Sequence, residues 1–293
     1  MLRKERTCQI CGSDEQLAYL RARDFQVSKN WFDIVKCVQC GFVFTNPRPK
    51  PTDMNGYYSQ RYYAYRPPTS VPALDQPRIG LTVLDVGCGS GSYLVSMHND
   101  GYDTYGIEID DKCIEIASSI GLDVRKPLPD GSFNFEDDFF DILNASHVLE
   151  HVPDLQLFLS EARRVMKTNA ILRIEVPNID SFNAHLLGSS WRHLDVPRHL
   201  SHFNGDTLRQ LLEQHRFEVV KIETKNLSFF HRKFIGSVYT TFNLIQYESD
   251  HIQPIKLFRA LAYITYILIR IGLHKKSTTD GSMLQIVARK QAS

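Results

Sequence analysis

The 293-residue sequence predicts an α/β protein: a doubly wound, mostly parallel sheet preceded by a small cysteine-paired module and carrying a helical insertion near its C-terminus. Three observations predict it. A glycine-punctuated turn, Gly87-Cys88-Gly89-Ser90-Gly91, stands between an apolar β-type run and a helix start. Downstream of that turn, strand-type and helix-type segments alternate. Upstream of it, four cysteines form two Cys-x-x-Cys pairs.

Composition sets the outer limits. A hydrophobic fraction of 43% supports a sizeable core. The formal net charge of +1 disfavours nucleic acid as the main partner, because counterion-release binding needs a basic surface or a dense basic stripe. The N-terminal stretch MLRKERTCQICG has charges but no apolar run, so no signal peptide is expected and the reading is cytoplasmic.

Residues 1–50 read as a zinc ribbon. Cys8-x-x-Cys11 and Cys37-x-x-Cys40 are matched pairs separated by 25 residues, each followed by a glycine, Gly12 or Gly41. Four thiolates suit tetrahedral zinc, whereas two disulfides or a redox pair fit a reducing compartment less well. With Cys8, Cys11, Cys37 and Cys40 filling every position, the metal is structural and has no open site for a water. Trp31–Lys36 and Gly41–Phe44 read as short strands joining the pairs. So small a module cannot build a sufficient core, and metal binding supplies much of its folding free energy. Cys88 and Cys113 read as packing residues.

Residues 51–80 form a linker rich in tyrosine (Tyr57, Tyr58, Tyr62, Tyr63, Tyr65) and proline (Pro67, Pro68, Pro72, Pro77). The prolines preclude a long helix, and packing between domains is the simpler role for the rings.

From residue 81 the alternation begins. Strands are expected at Thr82–Val86, Thr104–Ile109, Phe140–Asn144, Ile171–Val176, Phe217–Glu223 and Met283–Arg289, with helices at Ser92–His98, Asp111–Ile120 and Asp154–Lys167. The last is the clearest helix, with Leu155, Phe158, Leu159, Ala162, Val165 and Met166 at helical spacing behind an Asp154 cap. Ligands of such sheets lie at the carboxyl ends of the strands, where Asp85, Glu108 and Asn144–His147 fall. Glu108, about twenty residues past the turn, stands where an acid can bond two ribose hydroxyls, which implies a nucleoside-bearing cofactor.

LDVGCGSG, then GIEID, then FFDILNASHVLEHVPD resembles the class I S-adenosylmethionine-dependent methyltransferases, from about Leu81 to Asn178 and again in the last dozen residues. A dehydrogenase would show G-x-G-x-x-G over a pyrophosphate. Here the register is G-x-G-x-G with Asp85 two residues ahead. The resemblance implies a Rossmann-like, doubly wound, seven-stranded methyltransferase domain over 81–293. It also implies S-adenosylmethionine held by Asp85, Gly87, Gly89, Gly91, Glu108, Ile109 and His147, with Asp85 toward the methionine end. The proline-rich stretch departs from the family, where a helix usually precedes the first strand.

Methyl transfer needs an aligned nucleophile and, for a hydroxyl or acidic carbon, a base. Candidates are His147, His151 and the segment Trp191–Phe203, which holds three histidines, two arginines, an aspartate and a tryptophan. That segment is similar to the W-x-x-x-D-x-P-R-H stretch of family members with amino-terminal cysteine pairs. His199 is the first choice as base and His151 the second. Arg192 and Arg198, with Trp191, suit an anionic substrate group. The blander reading is a polar loop held by an Arg–Asp pair, and a second metal on His193, His199 and His202 lacks a ligand framework. The turn after the fourth strand reads NASH, without the Asn/Asp-Pro-Pro-Tyr pattern of nitrogen methylation. The expected acceptor is therefore an oxygen or carbon of a small molecule, a sugar or another biosynthetic intermediate. The competing class is a non-catalytic, methyltransferase-like module that recruits a partner through its ribbon.

The insertion at about 226–280 carries an amphipathic helix over 255–272, with Lys256, Arg259, Tyr263, Tyr266 and Arg270 in one polar stripe. Its arginines argue against a spanning helix. A lid over the substrate cleft is the simplest role, with peripheral membrane contact or dimerisation as the others.

Overall fold

The structure is a computed structural model that describes residues 2–58, 67–68, 77–225 and 281–292. Tyr62, Tyr63, Tyr65 and the insertion at 226–280, with the 255–272 helix, lie outside the described residues.

The chain opens with β1 (Leu2–Arg3), then an antiparallel hairpin of β2 (Gln16–Arg23) and β3 (Trp31–Cys37). Alternation along β3 buries Phe32 and Ile34 and leaves Trp31 and Asp33 outside, the signature of a sheet with one covered face. β4 (Val43–Thr45) pairs antiparallel with β3, and β5 (Arg48–Pro49) pairs with β1.

The α/β part starts at β6 (Thr82–Val86), whose last four residues are all buried, as expected of a strand covered on both faces. α1 (Ser92–Asn99), β7 (Asp103–Ile107), α2 (Asp111–Ser119), β8 (Asp123–Arg125) and β9 (Phe140–Ser146) follow. α3 (Leu155–Val165) is capped by the Asp154 carboxylate, which accepts from the Leu157 N–H, and buries Leu155, Phe158, Leu159, Ala162 and Val165. It stops short of the expected Lys167 because β10 (Met166–Pro177) begins at the next residue. Then come α4 (Phe182–Leu187), β11 (Ser201–His202), α5 (Gly205–Gln214), β12 (Phe217–Lys225) and β13 (Met283–Lys290).

The seven-stranded sheet has the order β12-β13-β10-β9-β6-β7-β8. From β6 the chain winds outward through β7 to β8, then returns to the other side of β6 as β9, with all of these neighbours parallel. The winding direction therefore reverses at β6, which puts a ligand crevice beyond its carboxyl end.

The described residues fall into two compact units, one from 2–58, 177–205, 223–225 and 281–284, the other from 67–68, 77–176, 206–222 and 285–292. The segment Pro177–Gly205, expected with the rest of 81–293, belongs instead with the cysteine module. The reason is physical. β11 pairs antiparallel with β4 and completes a second sheet, β11-β4-β3-β2. Ile179, Ala184, Trp191, Leu194 and Val196 fill one core with Ala22, Phe32, Ile34 and Val43. Without them the covered face of the ribbon sheet would be exposed. Among the described residues no helix is long and apolar enough to cross a membrane.

Candidate functional site

In the unit that holds β6, the glycine turn is pinned to the end of β7: the Gly87 and Cys88 N–H groups both donate to the Ile107 carbonyl, at 2.7 and 3.2 Å. Two of its positions require glycine. Gly87 (φ +70°) and Gly91 (φ +90°) are left-handed, and a Cβ there would lie 2.5 Å from Val148 Cγ2 and 2.3 Å from Leu122 Cδ1.

Glu108 follows β7 and folds its carboxylate back onto backbone. Oε2 accepts from the Gly89 N–H at 2.9 Å, and Oε1 accepts from Ile109 and Asp110 at 2.7 and 3.0 Å. These bonds fix the side chain beside the turn and use three of the roughly four lone-pair sites of a carboxylate, leaving room for a hydroxyl donor. Ile109 next to it is 72% exposed, an unusual place for an apolar side chain and a surface on which a flat ring can rest.

Asp85 is paired in register with Asn144 across β6 and β9, and the Asn144 amide donates to Asp85 Oδ1 at 2.7 Å. The sequence reading placed Asn144 at the carboxyl end of its strand without giving it a role; here it is the partner of Asp85. Burial, only partly offset by the Asn144 bond and reinforced by the charge of Glu108, pushes the Asp85 carboxyl from 3.8 up to about 7. Because the folded value is raised, the stability this group contributes is present at low pH and lost as pH rises through about 7. Asp85→Asn should therefore stabilise the cofactor-free protein at pH 8, by up to about 4 kcal/mol, and by less than half as much at pH 5, which lies between the unfolded and folded values. Calorimetric melting at both pH values checks this; a variant no more stable than wild type at pH 8 would contradict the burial argument.

His147 sits at φ +58°, outside the ordinary range for a non-glycine residue. Its Nδ1 lies 3.4 Å from Glu150 Oε1 and its Nε2 3.4 Å from Glu175 Oε1, with Glu150 almost fully buried. The Gln285 amide also donates to Glu175. Neither acid was singled out from the sequence: Glu175 comes to His147 through the register of β10 on β9, and Glu150 from three residues further along the same turn. His151 closes the short turn Leu149–His151 and is half-buried.

The other unit holds the cysteines and the Trp191–Phe203 segment. The four thiols cluster, with Cys8 Sγ 3.5 Å from Cys40 Sγ and Cys11 Sγ 3.5 Å from Cys37 Sγ. Tetrahedral zinc with Zn–S bonds of about 2.3 Å needs sulfurs about 3.8 Å apart, so the cluster fits the ion. The two knuckles are alike: Gly12 and Gly41, both at φ +76°, donate to the carbonyls of Cys8 and Cys37.

Trp191 is 3% exposed, inside the core described above. Arg198 is also 3% exposed. Its guanidinium donates to Asp195, to Asp24 Oδ1 at 3.0 Å and to the Tyr57 carbonyl at 2.8 Å, tying together parts of the chain remote in sequence. Burial alone would raise the Asp24 carboxyl, but the Arg198 charge holds it below the usual range. Of the two arginines nominated for substrate, Arg192 is the one at the surface, half-exposed. His199 is 7% exposed, with Nδ1 2.8 Å from the His193 carbonyl and Nε2 3.9 Å from Asp195 Oδ2. A carbonyl can only accept, so Nδ1 carries the proton and Nε2 of the neutral ring is an acceptor.

Several known proteins are similar to this chain. The ubiquinone biosynthesis O-methyltransferase of Hahella chejuensis is 30% identical over 127 residues, which cover 41% of this chain and 53% of the relative. That of Rhodopseudomonas palustris is 29% identical over 160 residues, covering 51% and 62%. The chain spans about half the length of the curated relatives it matches. A solved S-adenosylmethionine-dependent methyltransferase from Archaeoglobus fulgidus is 24% identical, with a TM-score of 0.46 over 72% of this chain and 86% of that one. Residues 56–222 match a family model described as a methyltransferase domain, which is more than half of the sequence. By that match, made over the glycine turn, Asp85 and Glu108, the chain belongs to the methyltransferase-domain family, of the S-adenosylmethionine-dependent class.

Proposed function

We propose that the protein transfers a methyl group from S-adenosylmethionine to an oxygen or carbon of a small-molecule acceptor, with His199 as base and His151 as the second candidate. The observation that carries the cofactor reading is the Glu108 carboxylate, oriented by three backbone N–H groups beside a glycine turn, with buried Asp85 on the adjacent strand end. Glu108 would hold the ribose hydroxyls, Ile109 the adenine ring, and Asp85 the cationic methionine amino group, while Gly87, Gly89 and Gly91 let the backbone approach. When bound, the sulfonium supplies the electrophilic methyl group.

The protein's own part is to orient and to move a proton. His199 has its accepting nitrogen fixed by the His193 carbonyl, and Asp195 beside that nitrogen favours the cation formed when the ring takes a proton. The matched relatives that act on oxygen support an O-acceptor. The cysteine cluster is assigned to structural zinc, and the protein to the cytoplasm.

Titration calorimetry with S-adenosylmethionine, followed by a mass-spectrometric screen for metabolites gaining one methyl group, tests the reading. Glu108→Ala should weaken cofactor binding on the order of 10- to 100-fold, the value of a charge-assisted hydrogen bond of about 1.5–3 kcal/mol. Unchanged affinity would remove Glu108 from the site, and cofactor binding without turnover on any acceptor would favour a non-catalytic module.

A further inference from the structure

Asp85 is 5% exposed, and among the described residues its carboxyl accepts one hydrogen bond, from the Asn144 amide to Oδ1 at 2.7 Å. The elements around it bring no cation against it. On β7, Gly106 stands opposite Asp85 without a side chain, and Glu108 beyond it adds a second negative charge. On β9, Asn144 is neutral. On β10, Arg173 is in register with Asn144 but exposed, and its charge is felt by the Tyr93 hydroxyl of α1. Burial raises that hydroxyl and the Cys88 thiol of the glycine turn, and the charge of Asp85 adds to each, so both are neutral near pH 7.

A buried acid beside a second acid, with a neutral donor as its partner, is comfortable in two states: carrying a proton, or facing a cation that arrives with a ligand. The donor decides where the proton goes. The amide N–H occupies Oδ1, so the carboxyl O–H belongs to Oδ2.

We propose that Asp85 gives up a proton when S-adenosylmethionine binds, and that Asn144 is the positioning residue that sets this coupling by holding Oδ1 and directing the proton to Oδ2. This rests on the reading of Asp85 as the partner of the cofactor's amino group. In the exchange the Oδ2–H bond breaks, the proton leaves to solvent, and the carboxylate pairs with the ammonium that the cofactor already carries. Asn144 favours the ionised form, because an amide donates more strongly to a carboxylate than to a neutral acid. Without it the carboxyl would keep its proton to higher pH and receive the cation less readily. With the carboxyl titrating at about 7, affinity should be about tenfold weaker at pH 6 than at pH 8.

Two measurements on the full chain test this. The first needs no cofactor: NMR titration of 13C-labelled aspartate carboxyls, with the Asp85 signal identified by its loss in Asp85→Asn. Its midpoint should lie at about 7 in wild type and at about 8 or above in Asn144→Leu, which keeps the volume and removes the donor. The second is titration calorimetry with S-adenosylmethionine in phosphate and in imidazole buffer, whose different heats of ionisation reveal the protons released. About 0.9 protons per chain are expected at pH 6 and about 0.1 at pH 8. In Asn144→Leu the release at pH 8 should rise to about half a proton or more, and affinity at pH 7 should fall about fivefold or more. Asp85→Asn, with no proton to lose, should release none at pH 6.

A midpoint unmoved by loss of the Asn144 amide overturns the role of Asn144, and a merely structural residue would lower Tm without moving it. Asn144→Ser, which withdraws the donor without adding apolar bulk, repeats the comparison if Asn144→Leu does not fold. Binding at pH 6 with no proton released, or release undiminished in Asp85→Asn, overturns the coupling and leaves the cofactor reading intact. No binding of S-adenosylmethionine at any pH defeats the cofactor reading itself, and this inference with it.

Discussion

His199→Ala is expected to lower turnover by about 100- to 10,000-fold, the range of general-base catalysis, and to leave S-adenosylmethionine affinity within a factor of about two. The expectation follows from the tautomer. Donation from Nδ1 to the His193 carbonyl at 2.8 Å leaves Nε2 as the nitrogen that can take a proton. Loss of activity should ease as pH rises, because an acceptor that ionises unaided no longer needs the base. Burial makes a structural role the competing account, since the His199 carbonyl accepts from Thr45 Oγ1 at 2.9 Å and the ring is nearly enclosed. Truncation there would open a cavity and lower Tm. His199→Gln, closer in volume and still able to donate to the carbonyl, separates the two. A base-only role predicts near-normal Tm with turnover still lost. Full turnover in either variant, or activity that only tracks Tm, sinks the assignment. His151→Ala serves as comparison and should raise the apparent cofactor constant if that residue sits at the cofactor edge.

The second large effect concerns the cysteines. Purified protein should carry one zinc per chain, and Cys37→Ser should lose it together with the ribbon sheet. Structural zinc contributes on the order of 10–16 kcal/mol in small finger domains, as much as the whole stability of an ordinary domain. Cys37 is also where β3 ends: its N–H donates to the Phe42 carbonyl and its carbonyl accepts from Gly41, so strand and knuckle meet at this residue. Limited proteolysis should then cut within both 2–58 and 177–205, because the two stretches share one core. Elemental analysis that finds no zinc in freshly purified wild type would end this reading.

The glycine turn and the elements beside it were legible in the sequence because their constraints are local. A left-handed turn demands glycine wherever it occurs, a strand covered on both faces must be apolar, and Glu108 is reached from the turn within one crossover. β6 runs Thr82–Val86 as expected, and α1 and α2 differ from expectation by one residue at their ends. Elements whose burial is decided elsewhere were harder to see. β2 shows little alternation because most of its side chains are exposed, and β8 is three residues long. α5 did carry a signal, with Thr207, Leu208, Leu211 and Leu212 at helical spacing, that the reading passed over. The Trp191–Phe203 segment stood out in the sequence by its side chains, but its place in the architecture did not. Nothing near Arg198 announces Asp24, which lies 174 residues away, or shows that Trp191 packs with β3. Contacts of that separation are set by the whole fold and leave no periodic trace.

The pairing of Ser201 with Phe44 has a consequence for the order of events during synthesis. The cysteine hairpin leaves the ribosome first, yet its fourth strand and half of its apolar core are encoded roughly 150 residues later. At about 5–20 residues per second that is a delay on the order of ten seconds or more. During it, Phe32, Ile34 and Val43 have no cover. A metal ion captured early by the two knuckles would hold the hairpin in shape through this interval. The chain's demand for zinc would therefore be most acute while it is being made, and cells short of zinc should accumulate aggregated nascent protein before the finished protein loses activity.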